Sequence, residues 1–353
     1  MNLITGGTGL VGAHLLYYLL KKGEACKALF RNADRLQVTR QIFSYYPDGA
    51  SLFNEIEWVE GNVLDVVSLE NAFRQVKRVY HCAGFVSFNP ADRQQLLKTN
   101  VEGTANVVNV ALSNNIVDFC HVSSIASFGR ALRNKKVNEE THWENNAKPS
   151  GYSLSKYLAE QEVWRGAEEG LSVVIVNPAA ILGAGNWNYG SSALFGKVKN
   201  GLPWYTSGVN GFVDVKDVVK CMHLLMQSTI RQQRFILVSE NLPFRTLFDK
   251  MADHFGVKRP TKSVSQFWSG LICVIEKVRS SLHGKAPVIT SESARIAYDK
   301  QYYANNKIVE ALSFEFTPID ETIKGIVADY QKQSPTSSLP SPKSQPLAHS
   351  TAQ

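Results

Sequence analysis

The 353-residue chain has no apolar run approaching the roughly 18 residues that a membrane-spanning helix needs, and it has no C-x-x-C pair. The first lack excludes a helical integral membrane protein. The second, with Cys26, Cys82, Cys120, Cys221 and Cys273 spaced far apart, argues against a zinc site and against a disulfide framework. Reduced cytosol is the compartment that fits. The start also lacks a basic region followed by an apolar core and a small-residue cleavage site; Asn2-Leu3-Ile4-Thr5 reads instead as a strand, so a cytoplasmic protein is expected. The formal net charge is +7, yet the basic residues are scattered, with no Lys/Arg stripe interleaved with aromatics. No nucleic-acid groove is expected. An enzyme for an anionic ligand would carry the same charge balance.

What is present is alternation. From residue 2 to about 178, short β-branched runs at 2–5, 25–31, 56–60, 77–83, 116–123 and 172–177 alternate with amphipathic stretches at 10–22, 66–75, 93–114 and 150–169, with a further helix near 34–45. This βαβα order predicts an α/β fold, a parallel sheet covered by helices on both faces. After Pro178, glycines crowd a stretch rich in Trp and Tyr, which reads as a ligand-covering insertion. The pattern returns at Phe212-Val213-Asp214-Val215, a helix over 216–228 and a strand over 235–238, pieces that would complete the sheet. The expected organisation is a dinucleotide-binding unit of residues 1–179 and 211–240, with a smaller and mostly helical lobe of 180–210 and 241–332. Residues 334–353 hold six Ser and four Pro and too few large apolar side chains to offset ordering entropy, so they read as a disordered tail.

Thr5-Gly6-Gly7-Thr8-Gly9-Leu10-Val11-Gly12 follows the first strand and opens the first helix. Gly6, Gly9 and Gly12 would permit the tight turn, let backbone approach a pyrophosphate and let helix pack on strand, while the helix N-terminus offers N–H groups to phosphate. A glycine-rich βα turn without ligand is the plainer alternative. At the end of the second strand, Leu29-Phe30-Arg31-Asn32 offers a guanidinium where an acidic residue would hold the 2′-hydroxyl of NAD. Arg31 therefore suits a 2′-phosphate, and NADP(H) is expected ahead of NAD(H); a solvated surface Arg is the alternative. Asn62-Val63, after the third strand, either reaches an adenine ring or simply caps a turn.

Tyr152 and Lys156 stand four apart on a helix and share one face, where an ammonium near a phenol would favour phenolate. The spacing alone says little, since Tyr17/Lys21 and Tyr18/Lys22 repeat it on the first helix. What selects Tyr152 is Ser123-Ser124 at the end of the fifth strand, at the edge of a parallel sheet where ligands bind.

The glycine turn, His81-Cys82-Ala83-Gly84 after the fourth strand, Asn100-Val101-Glu102-Gly103-Thr104 with Asn106, Ser123-Ser124, Tyr152/Lys156 and Asn177-Pro178 together resemble the extended short-chain dehydrogenase/reductases, the NAD-dependent epimerase/dehydratase family. The likeness runs to about residue 240. It implies a Rossmann-type doubly wound sheet with a variable C-terminal substrate lobe. It also implies that Tyr152 is the acid/base, that Lys156 tunes it and holds the nicotinamide ribose, that Ser124 (rather than Ser123) hydrogen-bonds the substrate oxygen, and that Asn100 supports the site. Ala83, Gly84, Asn177 and Pro178 would line the cofactor.

Dehydratases of that family carry an Asp-Glu pair after the active-site hydroxyl, whereas Ser124 is followed by Ile125-Ala126. Nucleotide-sugar epimerases show a phosphate-binding Arg before the late strand, whereas Gly208-Val209-Asn210-Gly211 stands here. The chain looks most like the dihydroflavonol 4-reductase and 3β-hydroxysteroid dehydrogenase branches. The expectation is an NADP(H)-dependent reductase of a ketone or aldehyde. The alternatives are an NAD-dependent sugar-nucleotide epimerase and a non-catalytic NADP sensor. Phe85, Val86, Phe88, Ile125, Phe128, Ala180, Ile181, Trp187, Tyr189 and Trp204 would wall a pocket for a small-molecule carbonyl or alcohol on a hydrophobic body, or simply fill core. The apolar stretch 267–275 amid basic residues is expected to roof a substrate pocket or pack internally rather than rest on an anionic membrane surface. A homodimer is left open.

Overall fold

A computed structural model describes residues 1–129, 135–143, 149–264 and 291–332. Seven strands form the main sheet: β1 (Asn2–Thr5), β2 (Cys26–Phe30), β3 (Glu57–Glu60), β4 (Arg78–His81), β5 (Asp118–Val122), β6 (Val173–Pro178) and, after three strands outside this sheet, β10 (Gln233–Leu237). Their order is β10-β6-β5-β4-β1-β2-β3, and every neighbouring pair is parallel. Strand order reverses between β1 and β4, so the crevice at their carboxyl ends is the place where such a sheet binds ligands.

Alternation along each strand builds a core on both faces. Ile4, Ala28, Tyr80, Cys120, Val122 and Val174 face one side, against Leu15, Leu16 and Leu19 of α1 (Leu10–Lys21). Leu3, Leu29, Val79, Phe119 and Val173 face the other. Leu69 of α4 (Val66–Ala72) and Val107 and Val108 of α6 (Gly103–Ser113) cover that second side, with Val163 of α7 (Gly151–Glu168). Two short helices, α2 (Leu36–Phe43) and α3 (Gly49–Phe53), occupy the stretch between β2 and β3, and a single-turn α5 (Arg93–Leu96) precedes α6.

One expectation fails here. The strand around 212–215 does not complete the main sheet: β9 (Val209–Asp214) pairs with β7 (Ala180–Leu182) and β11 (Glu240–Pro243) in a separate three-stranded sheet. The reason is that β10 already occupies the edge beside β6, leaving β9 no partner there. Its alternation still serves both bodies, since Val213 packs into the core on the α1 side and Phe212 into a third core. That third core gathers Leu182, Phe195 of α8 (Ser192–Lys199) and, beyond α9 (Val215–Gln227), Leu247 and Met251 of α10 (Phe244–Phe255). A small pair, β8 (Trp204–Tyr205) with β12 (Lys262–Ser263), lies alongside. Among the described residues three more helices follow: α11 (Ser291–Tyr298), α12 (Asn306–Leu312) and α13 (Ile319–Lys332), the last adding Ile319, Ile323 and Val327 to the third core. The stretch 267–275, the tail 334–353 and Cys273 lie outside the described residues. Among the described residues no helix is long and apolar enough to cross a membrane.

Candidate active site

The glycine turn sits at the switch point. Gly6 has φ +71°, a left-handed conformation that an L side chain rarely adopts, and a Cβ there would lie 2.6 Å from the Ala83 nitrogen. A Cβ on Gly12 would lie 2.3 Å from the Gly6 carbonyl oxygen. These two glycines let β1, the end of β4 and α1 meet. Gly9 caps α1 in an extended conformation with no side-chain hydrogen bond, and no acidic residue stands in the first turn. The helix therefore presents free N–H groups and its positive dipole end to the crevice, an arrangement suited to phosphate. Leu10 Cδ1 fits beside Gly183 and Gly185, where Cβ atoms would come within 3.3 and 2.8 Å, and Val11 packs against the sheet core. Buried Thr5 places Oγ1 2.7 Å from His81 Nδ1 and accepts from the Ala83 N–H at 3.2 Å, joining the two strands at the switch.

Arg31 lies just past β2 with Arg35 nearby, and partial burial together with the Arg35 charge lowers its pKa. Among the described residues neither guanidinium has an ion-pair partner. Asn62 accepts from the Leu64 N–H at 3.1 Å, so its side chain caps a turn, while Val63 is buried against Gly103.

Tyr152 and Lys156 lie on α7, which begins where Ser150 caps it by accepting from the Ser153 N–H at 2.9 Å. Burial raises the Tyr152 phenol pKa by more than the nearby Ser124 hydroxyl lowers it. Ser124 Oγ also accepts from the Ala126 N–H at 3.1 Å, whereas the neighbouring Ser123 hydroxyl is turned inward and donates to Glu160 at 2.6 Å. Lys156 is 5 % exposed and donates to the Val122 carbonyl at 2.8 Å; burial draws its pKa down to about 8. The expected lowering of the Tyr152 pKa by Lys156 is thus absent from this arrangement: the ammonium is held at the end of β5, and burial dominates the phenol. Gly84 lies over the same spot, 3.9 Å from the Lys156 ammonium measured from its would-be Cβ.

Asn100 is buried in a π-helical segment, Leu97–Glu102, between α5 and α6. Its Oδ1 accepts from the Phe85 N–H at 2.7 Å, and its Nδ2 donates to the Phe85 carbonyl and to the Ser155 hydroxyl, both at 2.9 Å. A π-turn carries one extra residue and commonly marks a functional position. Asn177, at the end of β6, donates to Glu160 at 2.8 Å and leaves its own Oδ1 buried and unpartnered; Pro178 pairs with Leu237.

The ten apolar wall residues divide. Phe88 meets Tyr152 edge-to-face at 5.6 Å, and the Tyr189 hydroxyl crosses the crevice to donate to the Val86 carbonyl at 3.1 Å. Phe85 is half-buried beside Asn100, Ile125 packs on the main core, and Ala180 and Ile181 lie in β7. Three serve elsewhere: Phe128 is buried under the Arg234 guanidinium, Trp187 packs between Phe195 and Tyr330, and Trp204 stacks under Lys262. Tyr17 and Tyr18, which repeat the Tyr–Lys spacing, are structural: Tyr17 donates to Asp48 at 2.8 Å, and Tyr18 packs on His223.

The family model for the NAD-dependent epimerase/dehydratase family matches residues 2–238. The chain belongs to this family. A protein described as a dihydroflavonol 4-reductase from Synechocystis sp. is 28 % identical over 338 residues, 93 % of this chain and 94 % of that protein. Sterol demethylase protein B of Methylococcus capsulatus is 31 % identical over 273 residues, covering 74 % of this chain and 77 % of its own. Cinnamoyl-CoA reductase 1 of Petunia hybrida is 25 % identical over 357 residues, 98 % and 96 % of the two chains. Among solved structures, the Bordetella bronchiseptica enzyme WbmG in complex with NAD and UDP superimposes with a TM-score of 0.70 at 20 % identity over 94 % of both chains, a likeness of fold.

The chain is thus an extended short-chain dehydrogenase/reductase, and the two clashes that a Cβ would cause show that backbone alone fills its glycine turn. Two groups escaped the sequence reading. Arg35 ends a single 3-10 turn, Ala33–Arg35, one turn beyond Arg31 and within the stretch read as a helix near 34–45, where a lone basic residue gives no signal of its own. Glu160 continues the i, i+4 series of Tyr152 and Lys156, a signal that was legible as a charged residue on the buried face of α7.

Proposed function

We propose that the protein is an NADP(H)-dependent reductase of a ketone or aldehyde on an apolar small molecule. The observation that carries this reading is the meeting of Tyr152, Ser124 and Lys156 at the carboxyl edge of the sheet. NADPH supplies the hydride. Ser124 Oγ holds the substrate oxygen beside the phenol, and Tyr152 gives that oxygen its proton as negative charge develops. A phenol pKa raised by burial keeps Tyr152 protonated at neutral pH, the state an acid needs. Lys156, cationic below about pH 8, sets the field around both. The α1 N-terminus and Gly6, Gly9 and Gly12 suit the pyrophosphate; Arg31 with Arg35 suits a 2′-phosphate and underlies the preference for NADP(H) over NAD(H). Phe88, Val86 and Tyr189 border the space above Tyr152, and residues 180–210 and 241–332 would supply the rest of a substrate lobe.

Two of the relatives named above carry reductase names, which favours this reading over a sugar-nucleotide epimerase. A cofactor sensor has no use for an aligned acid. The test is NADPH oxidation followed at 340 nm with cinnamoyl-CoA, a dihydroflavonol and a 3-ketosteroid, beside UDP-glucose epimerisation with NAD. Carbonyl-dependent oxidation is expected. Epimerisation without it would overturn the assignment.

A further inference from the structure

Beneath the crevice, out of reach of substrate, Glu160 is 1 % exposed and its carboxylate is surrounded by donors from three strand ends. Oε2 accepts from the Ser123 hydroxyl at 2.6 Å, from the Ser127 hydroxyl at 2.8 Å and from Asn177 Nδ2 at 2.8 Å. Oε1 pairs with Arg234 Nη1 of β10 at 3.0 Å. Ser123 and Ser127 flank Ser124 on both sides, and the Ser127 hydroxyl is also 2.8 Å from the Ser124 carbonyl. Four donors would therefore lose a common anchor if this one carboxylate were removed. Burying an ion costs free energy that only such pairing offsets, and replacing a buried pair with apolar side chains is often neutral for stability. Stability alone gives no reason for a charge here.

We infer that Glu160 is a positioning residue, which locks the Ser124 turn, the end of β6 and the edge strand β10 to the helix that carries Tyr152 and Lys156. The helical stripe Tyr152, Lys156, Glu160 at i, i+4 and i+8 makes this possible, because one rigid element then sets the acid, the cation and the anchor of the serine turn together. The inference rests on the reductase reading for its kinetic consequence only.

A second consequence is electrostatic. The groups facing Lys156 are His81 and Cys82 at and beyond the end of β4, His121 of β5, and Tyr152 and Glu160 of its own helix. Burial holds His81 down to about 3 and His121 well below its usual value, and it pushes the Cys82 thiol up to about 12, so all three are neutral at pH 7. Burial also keeps the Tyr152 phenol protonated. Glu160 is the charge that opposes desolvation of the ammonium. Without it, Lys156 gives up its proton at lower pH.

The experiment compares wild type, Glu160→Gln, Glu160→Asp and the double variant Ser123→Ala/Ser127→Ala in the full-length protein. Glu160→Gln should keep its NADPH affinity, lose about 10- to 100-fold in kcat through misplacement of Ser124, and shift the alkaline limb of the rate profile toward lower pH. Glu160→Asp, which keeps the charge, should restore the limb but not all of kcat. NMR of ¹⁵N-lysine-labelled protein reads the same shift without any substrate: the Lys156 midpoint should fall by about one pH unit in Glu160→Gln. If Glu160→Gln does not fold, the double serine variant carries the test, with a lower kcat and an unmoved limb expected because the carboxylate remains. Wild-type kcat in that variant, or an unmoved Lys156 midpoint in Glu160→Gln, overturns the inference. Absence of carbonyl reduction by the wild type overturns the reductase reading instead, and the lysine titration still decides whether Glu160 holds the ammonium charged.

Discussion

Asn100 donates its side-chain amide to the Ser155 hydroxyl at 2.9 Å, and Ser155 stands between Tyr152 and Lys156 on α7. The bond joins the loop after β4 to the helix that carries the acid, because the same Asn100 side chain brackets Phe85 from both its N–H and its carbonyl. An unbroken α-helix would turn residue 100 elsewhere. The extra residue of the π-turn re-aims it, and three hydrogen bonds offset the poorer helix geometry. The structure thus builds the crevice from two sides at once: Asn100 fixes the rim near Phe85, and the Glu160 cluster fixes the floor below Ser124.

Cofactor choice should follow the paired guanidiniums. Losing a charge-assisted bond to a 2′-phosphate costs about 1.5 to 3 kcal/mol, or roughly 10- to 150-fold in affinity. In Arg31→Ala the NADPH dissociation constant should rise by that factor while the NADH constant stays put. Arg31→Ala/Arg35→Ala should bind the two cofactors alike. Fluorescence titration of both nucleotides measures this, and equal weakening of NADPH and NADH would remove the assignment.

Acid should unfold the protein earlier than its carboxylates alone would require. His14 is buried and neutral, its pKa drawn down to about 4, mainly by burial; His81 is drawn down to about 3 and His121 well below its usual value. The unfolded chain protonates all three near pH 6.5, so between there and pH 4 it binds more protons than the native state. Stability present above pH 6.5 is therefore lost as pH falls, by about 1.4 kcal/mol per pH unit for each histidine. Urea midpoints at pH 7.0, 6.0 and 5.0 read it. A flat profile across that range would contradict three neutral buried imidazoles.

The sequence showed the main sheet well because β1 to β6 alternate with helices whose apolar faces are strongly periodic, and Gly6, Gly9 and Gly12 punctuate the first turn. It misplaced β9, since the alternation of Phe212 and Val213 says that both faces are buried but not which strand lies beside them. The helix over 93–114 was legible as a helix, yet its π-turn was not: residue periodicity drifts too little over one extra position. Tyr152 could be told from Tyr17 and Tyr18 only by the strand-end serines, and the structure gives the latter pair their own partners in Asp48 and His223. Trp187 and Trp204 have the composition of pocket walls, but an aromatic side chain says nothing by itself about which surface it meets.

Two glycines should respond to alanine in opposite ways. At Gly12 a Cβ would collide with the Gly6 carbonyl at 2.3 Å, so Gly12→Ala must push α1 off the turn and abolish dinucleotide binding. At Gly325, inside α13, nothing lies within 4 Å of a Cβ, and Gly325→Ala should stabilise the helix by about 0.5 to 1 kcal/mol. Thermal denaturation with and without NADPH separates the two. A Gly12→Ala protein still stabilised by NADPH would show that the turn yields.

The acid itself is tested by removing one atom. Tyr152→Phe keeps the ring against Phe88 but deletes the hydroxyl near Ser124, leaving a developing alkoxide without its proton donor. General acid catalysis is worth about 10² to 10⁴ in rate, so kcat should fall by that factor while the NADPH dissociation constant is preserved. Tyr17→Phe and Tyr18→Phe should turn over at close to the wild-type rate, because Asp48 and His223, not the crevice, receive those side chains. Stopped-flow single turnovers with saturating NADPH isolate the chemical step from product release. Should Tyr152→Phe reduce a carbonyl as fast as wild type under those conditions, the proton comes from another group, and Ser124 is the first to test; Tyr152→Phe/Ser124→Ala would then decide whether the serine has taken over the transfer.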